Sequence, residues 1–573
     1  MISIEDYFQL AELAEASYAN LANNADLETQ VQRQSDGMSF SQTQAAYLAD
    51  RWNVVTNGHQ PNTSSGFSST LFQNKNDDSY VLAIRGTEPF AGSGADLGAD
   101  VGDIVSDGLA VEQIIDLYNE WMRITTPRGG VYTAAKLEIL TAETLMLTSL
   151  TGTAAHGLYL EYLKSRTDLI IDLDYQGFGP GVPIVKKVVW ENSDTLFSDD
   201  RKKGLGLQAE IMDKGLTVTG HSLGGHLASA FTRLFPEVGA DALTINGAGF
   251  GAIGFSLFAS SNVRNLFSML HGEPAFNSNQ IHNLYGDKNS ETVTQNGYWL
   301  FQPGGHESIF IEQDKFWGNT VGHGSGQMTD SLAVYDLFFR LTSNVSLNNV
   351  HAVFEGASNE RKSSLEYLLN ALGDIFAVGS RIINIDDREK LHAYLELIRN
   401  NPAFIALADS LTLVPATGAE ARTDYGQFLS LHFAASFSLQ GTEADLAQLN
   451  PALYTLWKAD QSLTAAERAN GQASFSDQWY EDRSAYLTAL LSRNENDIDA
   501  RESANSHNLS ARYFAVDGVN QDRAIVYTGA ANANNFASIN AARIVFGDDA
   551  ANAPANGVDA FIGGIVCGFQ LVV

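Results

Sequence analysis

The chain has 573 residues, enough for more than one domain, and 44% of them are hydrophobic, an ordinary share for a globular protein. Asp and Glu number 67 against 35 Lys and Arg, a formal charge of −32. That balance argues against a nucleic-acid binder or a protein drawn to an anionic membrane surface, and leaves a neutral lipid interface open. The single cysteine, Cys567, excludes an intramolecular disulfide framework. No basic n-region precedes an apolar run, the first basic residue being Arg33, and no segment approaches the roughly 20 apolar residues of a membrane span. The expectation is a soluble protein without an N-terminal signal peptide, exported by a non-classical route or kept in the cytoplasm.

In chain order, residues 3–21 predict an amphipathic helix opened by a Ser3/Asp6 capping pattern. Residues 80–84, Tyr-Val-Leu-Ala-Ile, predict a buried strand that runs into Arg85-Gly86-Thr87-Glu88. Helical patterns follow over 111–123 and 137–147. A strand over 216–219 leads into Gly220-His221-Ser222-Leu223-Gly224, and apolar residues then recur at helical spacing from Leu227 to Phe235, with Pro236 closing the segment. Further strands are expected over 242–246, 281–285 and 309–312, and a helix over 330–341. Strands alternating with helices imply an α/β fold with a parallel sheet. From about residue 346 the pattern becomes mainly helical, with helices over 358–372, from Asp386 (capped with Glu389) to Pro402, over 425–436 and over 478–491. Beyond about 503 the chain is rich in Ala, Asn, Gly and Asp, with strand-like runs at 524–528 and 542–546. The expected organisation is an α/β domain over 1–345, a mainly helical region over 346–502 and a tail over 503–573.

Gly-x-Ser-x-Gly alone is a loose pattern in a chain with 50 glycines. Strand, tight turn and helix in succession make it the layout of a nucleophile elbow, in which the serine hydroxyl is presented at the end of a sheet. The plain alternative is a glycine-rich turn in which Ser222 only caps a helix. A serine nucleophile needs a base, an acid to orient the base, and donors for the oxyanion, and on this layout acid and base follow the serine in that order. Asp287 follows the strand over 281–285 across Gly286 and is the candidate acid, with Asp314 in reserve. His323, flanked by Gly322 and Gly324 ahead of a helix, is the candidate base, with His306 as its competitor. His221 and His226 flank the serine and are expected to pack or bond locally. The oxyanion donors are expected at the N–H of Leu223 and at Thr87.

Arg85-Gly86-Thr87, the motif around Ser222, Asp287 and His323 together resemble the class 3 lipases, the fungal-type lipase family. The resemblance covers residues 3–341. It implies an α/β-hydrolase core, with Ser222, Asp287 and His323 as triad and Thr87 with Leu223 as oxyanion hole. It also implies hydrolysis of acylglycerols, or phospholipase A1 activity, at a lipid interface. The long stretch over 88–215 and the apolar run over 250–280 depart from the compact family pattern; they serve either as lid-like insertions or as additional core. Residues 559–564 resemble the entry to the calcium-binding repeats of RTX-type lipases, but no array follows. No cofactor is needed for serine chemistry. Calcium is the one ion the sequence leaves room for, with Asp96, Asp100 and Asp103 as weak candidate ligands. The competing reading is a non-catalytic module in which the helical region binds a partner and the α/β domain is scaffold.

Overall fold

A computed structural model describes the chain except for residues 1–2, 22–25, 34–38, 87–108, 141–160, 164, 175–181, 252–257, 288–299, 313–322, 343, 359–362, 380, 383–386, 478, 482, 485–486, 489, 492–493, 495–510, 516–524, 530–542, 547–568 and 573; beyond residue 510 it describes only the backbone of short strands. The chain divides into two compact units, Met1–Ile311 with Trp317–Leu332, and Glu312–Phe316 with Ala333–Val573.

In chain order the strands of the first unit are β1 (Trp52–Gln60), β2 (Ser69–Asn74), β3 (Tyr80–Ile84), β4 (Thr133–Leu140), β5 (Ile170–Asp174), β6 (Val182–Asn192), β7 (Leu216–His221), β8 (Asp241–Ile245), β9 (Phe250–Gly251), β10 (Ile281–Gly286), β11 (Leu300–Phe301) and β12 (Gly305–Ile309). Seven of them form one sheet in the order β1-β2-β3-β7-β8-β10-β12. β1, β2 and β3 pair antiparallel, and every pairing from β3 to β12 is parallel. The parallel strands are apolar runs because helices cover both faces of such a sheet. All five residues of β3 are buried, as are the last four of β8. The helix Leu223–Leu234 is buried along its whole length, and Val111–Thr125 contributes Ile114, Leu117, Trp121 and Ile124 to the same core. This is a mixed α/β architecture around a mostly parallel sheet, consistent with an α/β-hydrolase-like fold.

The first helix, Ile4–Ala16, carries both bonds of the Ser3/Asp6 capping box. It stops at Ala16, and it is enclosed rather than amphipathic, since Glu12 and Glu15 are buried with its apolar residues. Arg51 pairs with Glu12, which makes that buried carboxylate tolerable.

The two apolar insertions meet each other. β4, β6 and β5 form a separate three-stranded sheet, and the helix Ala259–Met269 lies against β5. Asn262 uses its amide as a surrogate peptide group, accepting from the Ile171 N–H at 3.0 Å and donating to the Ile171 carbonyl at 2.9 Å. Asn265 donates to the carbonyls of Arg166 and Leu169, both at 2.8 Å. Phe258 joins Leu163, Leu169, Ile171 and Val185 in a small core of its own, while Leu266, Phe267 and Leu270 enter the main core. The described parts of both insertions are therefore packed structure. Residues 137–140, expected as the start of a helix, belong to β4: Leu137 pairs with Val188 and Leu140 with Val185, and this cross-strand pairing overrides local helical spacing. The last strand lies at Gly305–Ile309 rather than 309–312, because its register on β10 runs from His282–Gly305 to Gly286–Ile309.

In the second unit the helices Leu347–Ala357, Ser364–Ile375, Arg388–Arg399 and Tyr425–Phe433 carry most of the packing. The cap of the third is Asp387, which accepts from the Lys390 N–H, one residue later than expected. A hairpin-like pair, Thr412–Pro415 with Phe437–Gln440, interrupts the helical pattern. Asp336, fully buried, is satisfied by Arg340 at 2.7 Å and Arg399 at 3.3 Å. Among the described residues no helix is long and apolar enough to cross a membrane.

Candidate active site

Parallel pairing brings the C-terminal ends of five strands to one edge of the sheet. Ile84 pairs with Gly220, His221 with Ile245, Ile245 with Leu284, and Gly286 with Ile309. In open α/β sheets that edge is where ligands bind.

Ser222 stands at the end of β7 with φ 56° and ψ −121°. Few non-glycine residues adopt such a backbone, and strain of this kind, of order 1–3 kcal/mol, persists where the surroundings over-determine it. The surroundings do so: the Ser222 N–H donates to the Ile245 carbonyl at 3.0 Å, and its own carbonyl accepts from Gly225 at 3.0 Å and Ala248 at 3.1 Å. Close backbone approach requires Gly224, where a Cβ would lie 2.1 Å from the Ile84 carbonyl oxygen. Leu223 is the first residue of the helix after the elbow, so its N–H belongs to the helix N-terminus.

Asp287 is the first residue beyond β10, two strands from β7. Its N–H donates to the Ile309 carbonyl at 2.8 Å, and its Oδ1 accepts from the Ile311 N–H at 3.1 Å, which holds the carboxylate at the sheet edge. His323 sits in the turn before the helix Ser325–Leu341. Its ring lies beside His221, centroids 4.7 Å apart, and its carbonyl accepts from His221 Nε2 at 2.6 Å and Asn246 Nδ2 at 3.2 Å. Asn246 in turn accepts the Gly286 N–H on Oδ1 at 3.1 Å. One amide thus joins the segment of Asp287 to that of His323, next to the strand of Ser222. His306 lies within β12 and is exposed, away from the turn that carries His323.

Thr87 lies outside the described residues, but Gly86 before it is in place: a Cβ there would come within 2.4 Å of both the His221 carbonyl and the Tyr18 hydroxyl. The reserve acid Asp314, the calcium candidates Asp96, Asp100 and Asp103, and the repeat-like stretch 559–564 also fall outside the described residues.

The two flanking histidines bond locally. Because a carbonyl only accepts, His221 carries its proton on Nε2, and Nδ1 accepts the Tyr18 hydroxyl at 2.8 Å. By the same reasoning His226 donates from Nδ1 to the Gly249 carbonyl at 3.0 Å, accepts the Ala110 N–H on Nε2, and stacks on Phe250 at 4.0 Å. Burial pushes His221 down to about 3, helped by the neighbouring His323, and burial pushes His226 down to about 4. His59 is likewise lowered to about 4 by burial and by Arg85 and Arg123. All three stay neutral in the folded protein while an unfolded histidine takes up a proton near pH 6.5. Their contribution is therefore intact above pH 6.5 and is lost as pH falls toward 4, at about 1.4 kcal/mol per pH unit for each such group. Urea midpoints measured from pH 7.5 to 4.5 are expected to fall from about pH 6.5 downward; a flat profile contradicts the buried neutral assignment.

Tyr18 and Asn246 were not legible as site residues. Asn246 reads as the end of a strand, and only its polarity before Gly247, with the left-handed φ of 46° it adopts, signals a turn at the sheet edge. Tyr18 meets β7 only through tertiary packing.

The mostly parallel sheet and the strained strand-to-helix turn at Ser222 are consistent with an α/β-hydrolase-like fold. No family model matches the chain, and no curated protein matches it. Among solved structures it is similar to the Lip2 lipase from Yarrowia lipolytica at 15% identity, over 54% of this chain and 79% of the lipase, with a TM-score of 0.24. The nonglycosylated form of that lipase gives the same identity and coverage and a TM-score of 0.23. A likeness so distant carries no weight for the chemistry of this chain, which stands on its own residues.

Proposed function

We propose that the protein is a serine ester hydrolase acting through an acyl-enzyme. Ser222 attacks the ester carbonyl, and His323 takes its proton and returns it to the leaving alcohol. Asp287 orients and stabilises the charged His323, and water then releases the acid. The N–H of Leu223 and Thr87 hold the tetrahedral oxyanion. The observation that carries the reading is the left-handed backbone of Ser222 at the C-terminal end of β7. A serine that merely caps a helix takes an extended conformation and needs no such strain.

Fatty-acyl esters of triacylglycerols are the substrate class we favour, with phospholipase A1 activity as the alternative; the acidic surface disfavours anionic bilayers but not zwitterionic ones. The test is a panel of triolein, phosphatidylcholine and short p-nitrophenyl esters, run on wild type and His323→Ala with and without EDTA. Wild type is expected to cleave a long-chain lipid, His323→Ala to lose about 10⁴-fold in kcat, and EDTA to leave the chemistry intact. Cleavage of short esters alone demotes the protein to a plain esterase. Equal rates for wild type and His323→Ala remove His323 as base.

A further inference from the structure

We propose that His221 and Asn246 are positioning residues, which together hold the main-chain carbonyl of His323 and thereby set the reach of its ring toward Ser222. The inference rests on the reading of His323 as base.

Neither residue has been given a part in the reaction so far, and both side chains end on the same atom. His221 Nε2 is 2.6 Å and Asn246 Nδ2 is 3.2 Å from the His323 carbonyl oxygen. Each donor is itself anchored. The His323 carbonyl requires the proton of His221 on Nε2, and the Tyr18 hydroxyl then donates to Nδ1 at 2.8 Å and anchors the ring from the other side. Asn246 is anchored by the Gly286 N–H at 3.1 Å, one residue before Asp287. The side chain must therefore donate on one side and accept on the other, which an amide does and a carboxylate or an aliphatic group does not. The residues also belong to the right elements: His221 precedes Ser222 directly, and Asn246 comes just after β8, which lies between β7 and β10. Nucleophile, base and acid segments thus converge on one carbonyl. His323 stands between two glycines in the sequence, Gly322 and Gly324, residues that restrict the backbone least. Misplacing a reacting group by about 1 Å costs about 10²-fold in rate.

The experiment measures p-nitrophenyl butyrate hydrolysis by the full chain, with His221→Leu, His221→Gln and Asn246→Asp each made in the wild-type and in the His323→Ala background. In the wild-type background His221→Leu and Asn246→Asp are expected to lower kcat by about 10–100-fold with KM nearly unchanged. His221→Gln, which restores an N–H at similar reach, recovers most of the loss. In the His323→Ala background the same substitutions change the residual rate little, because the group they position is gone. The inference is overturned if His221→Leu leaves kcat intact, or if it costs the same factor in both backgrounds, which is the mark of general structural damage. If His323→Ala alone keeps the wild-type rate, the base assignment fails and this inference falls with it, a pattern distinct from the other two.

Discussion

Replacing Ser222 by alanine is expected to lower ester hydrolysis by about 10⁴-fold or more in kcat while leaving the protein folded. In the proposed mechanism the hydroxyl supplies the bond to the acyl group. The backbone should hold, since the bonds that fix it run through the Ser222 peptide N–H and carbonyl to Ile245, Gly225 and Ala248. Alanine keeps a Cβ at φ 56° and so keeps the strain. Ser222→Gly removes it, and is expected to raise stability by about 1 kcal/mol while being equally inactive. Kinetics and urea denaturation of the two variants separate chemistry from folding. An active Ser222→Ala protein leaves the enzyme reading without its nucleophile and returns the α/β unit to the role of scaffold.

The second large effect concerns Gly224. A methyl group at this position would lie 2.1 Å from the Ile84 carbonyl oxygen, and the atoms it meets, in Ile84 and Arg85, are backbone, which cannot rotate away. Gly224→Ala is expected to cost about 3 kcal/mol or more, as a clash in a closely packed core does, and to lower activity by displacing the end of β3 from the elbow. The loss should appear as a lower urea midpoint with an unchanged denaturant slope. A midpoint equal to wild type shows that β3 and the elbow are not packed so closely.

Much of the candidate site was legible because its rules are local. The elbow needs a strand, a serine between glycines and a helix, and residues 216–235 carry all three in succession. Asp287 and His323 can be picked out from chain order, and each lies at a strand end or helix entry where that order puts it. What the sequence hid depends on neighbours distant in the chain. The helical spacing over 137–147 was misleading because β6 supplies a pairing edge for Leu137 to Leu140. β1 was silent because Asn53, Thr56 and Asn57 face solvent and its register slips between Val54 and His59. The insertions read as apolar runs suited to a lid or to core; that Asn262 and Asn265 tie one to the other is visible only when β5 and the helix Ala259–Met269 are side by side. Asn246 likewise acquires a role only because β8 lies between the strands of Ser222 and Asp287.

That Ser222 is an activated nucleophile is tested most directly by treating the protein with a fluorophosphonate and mapping the adduct by peptide mass spectrometry. One adduct per chain is expected, on Ser222, forming rapidly in wild type and slowly in His323→Ala. No adduct, or an adduct on another residue at the same rate in Ser222→Ala, would contradict the assignment of Ser222.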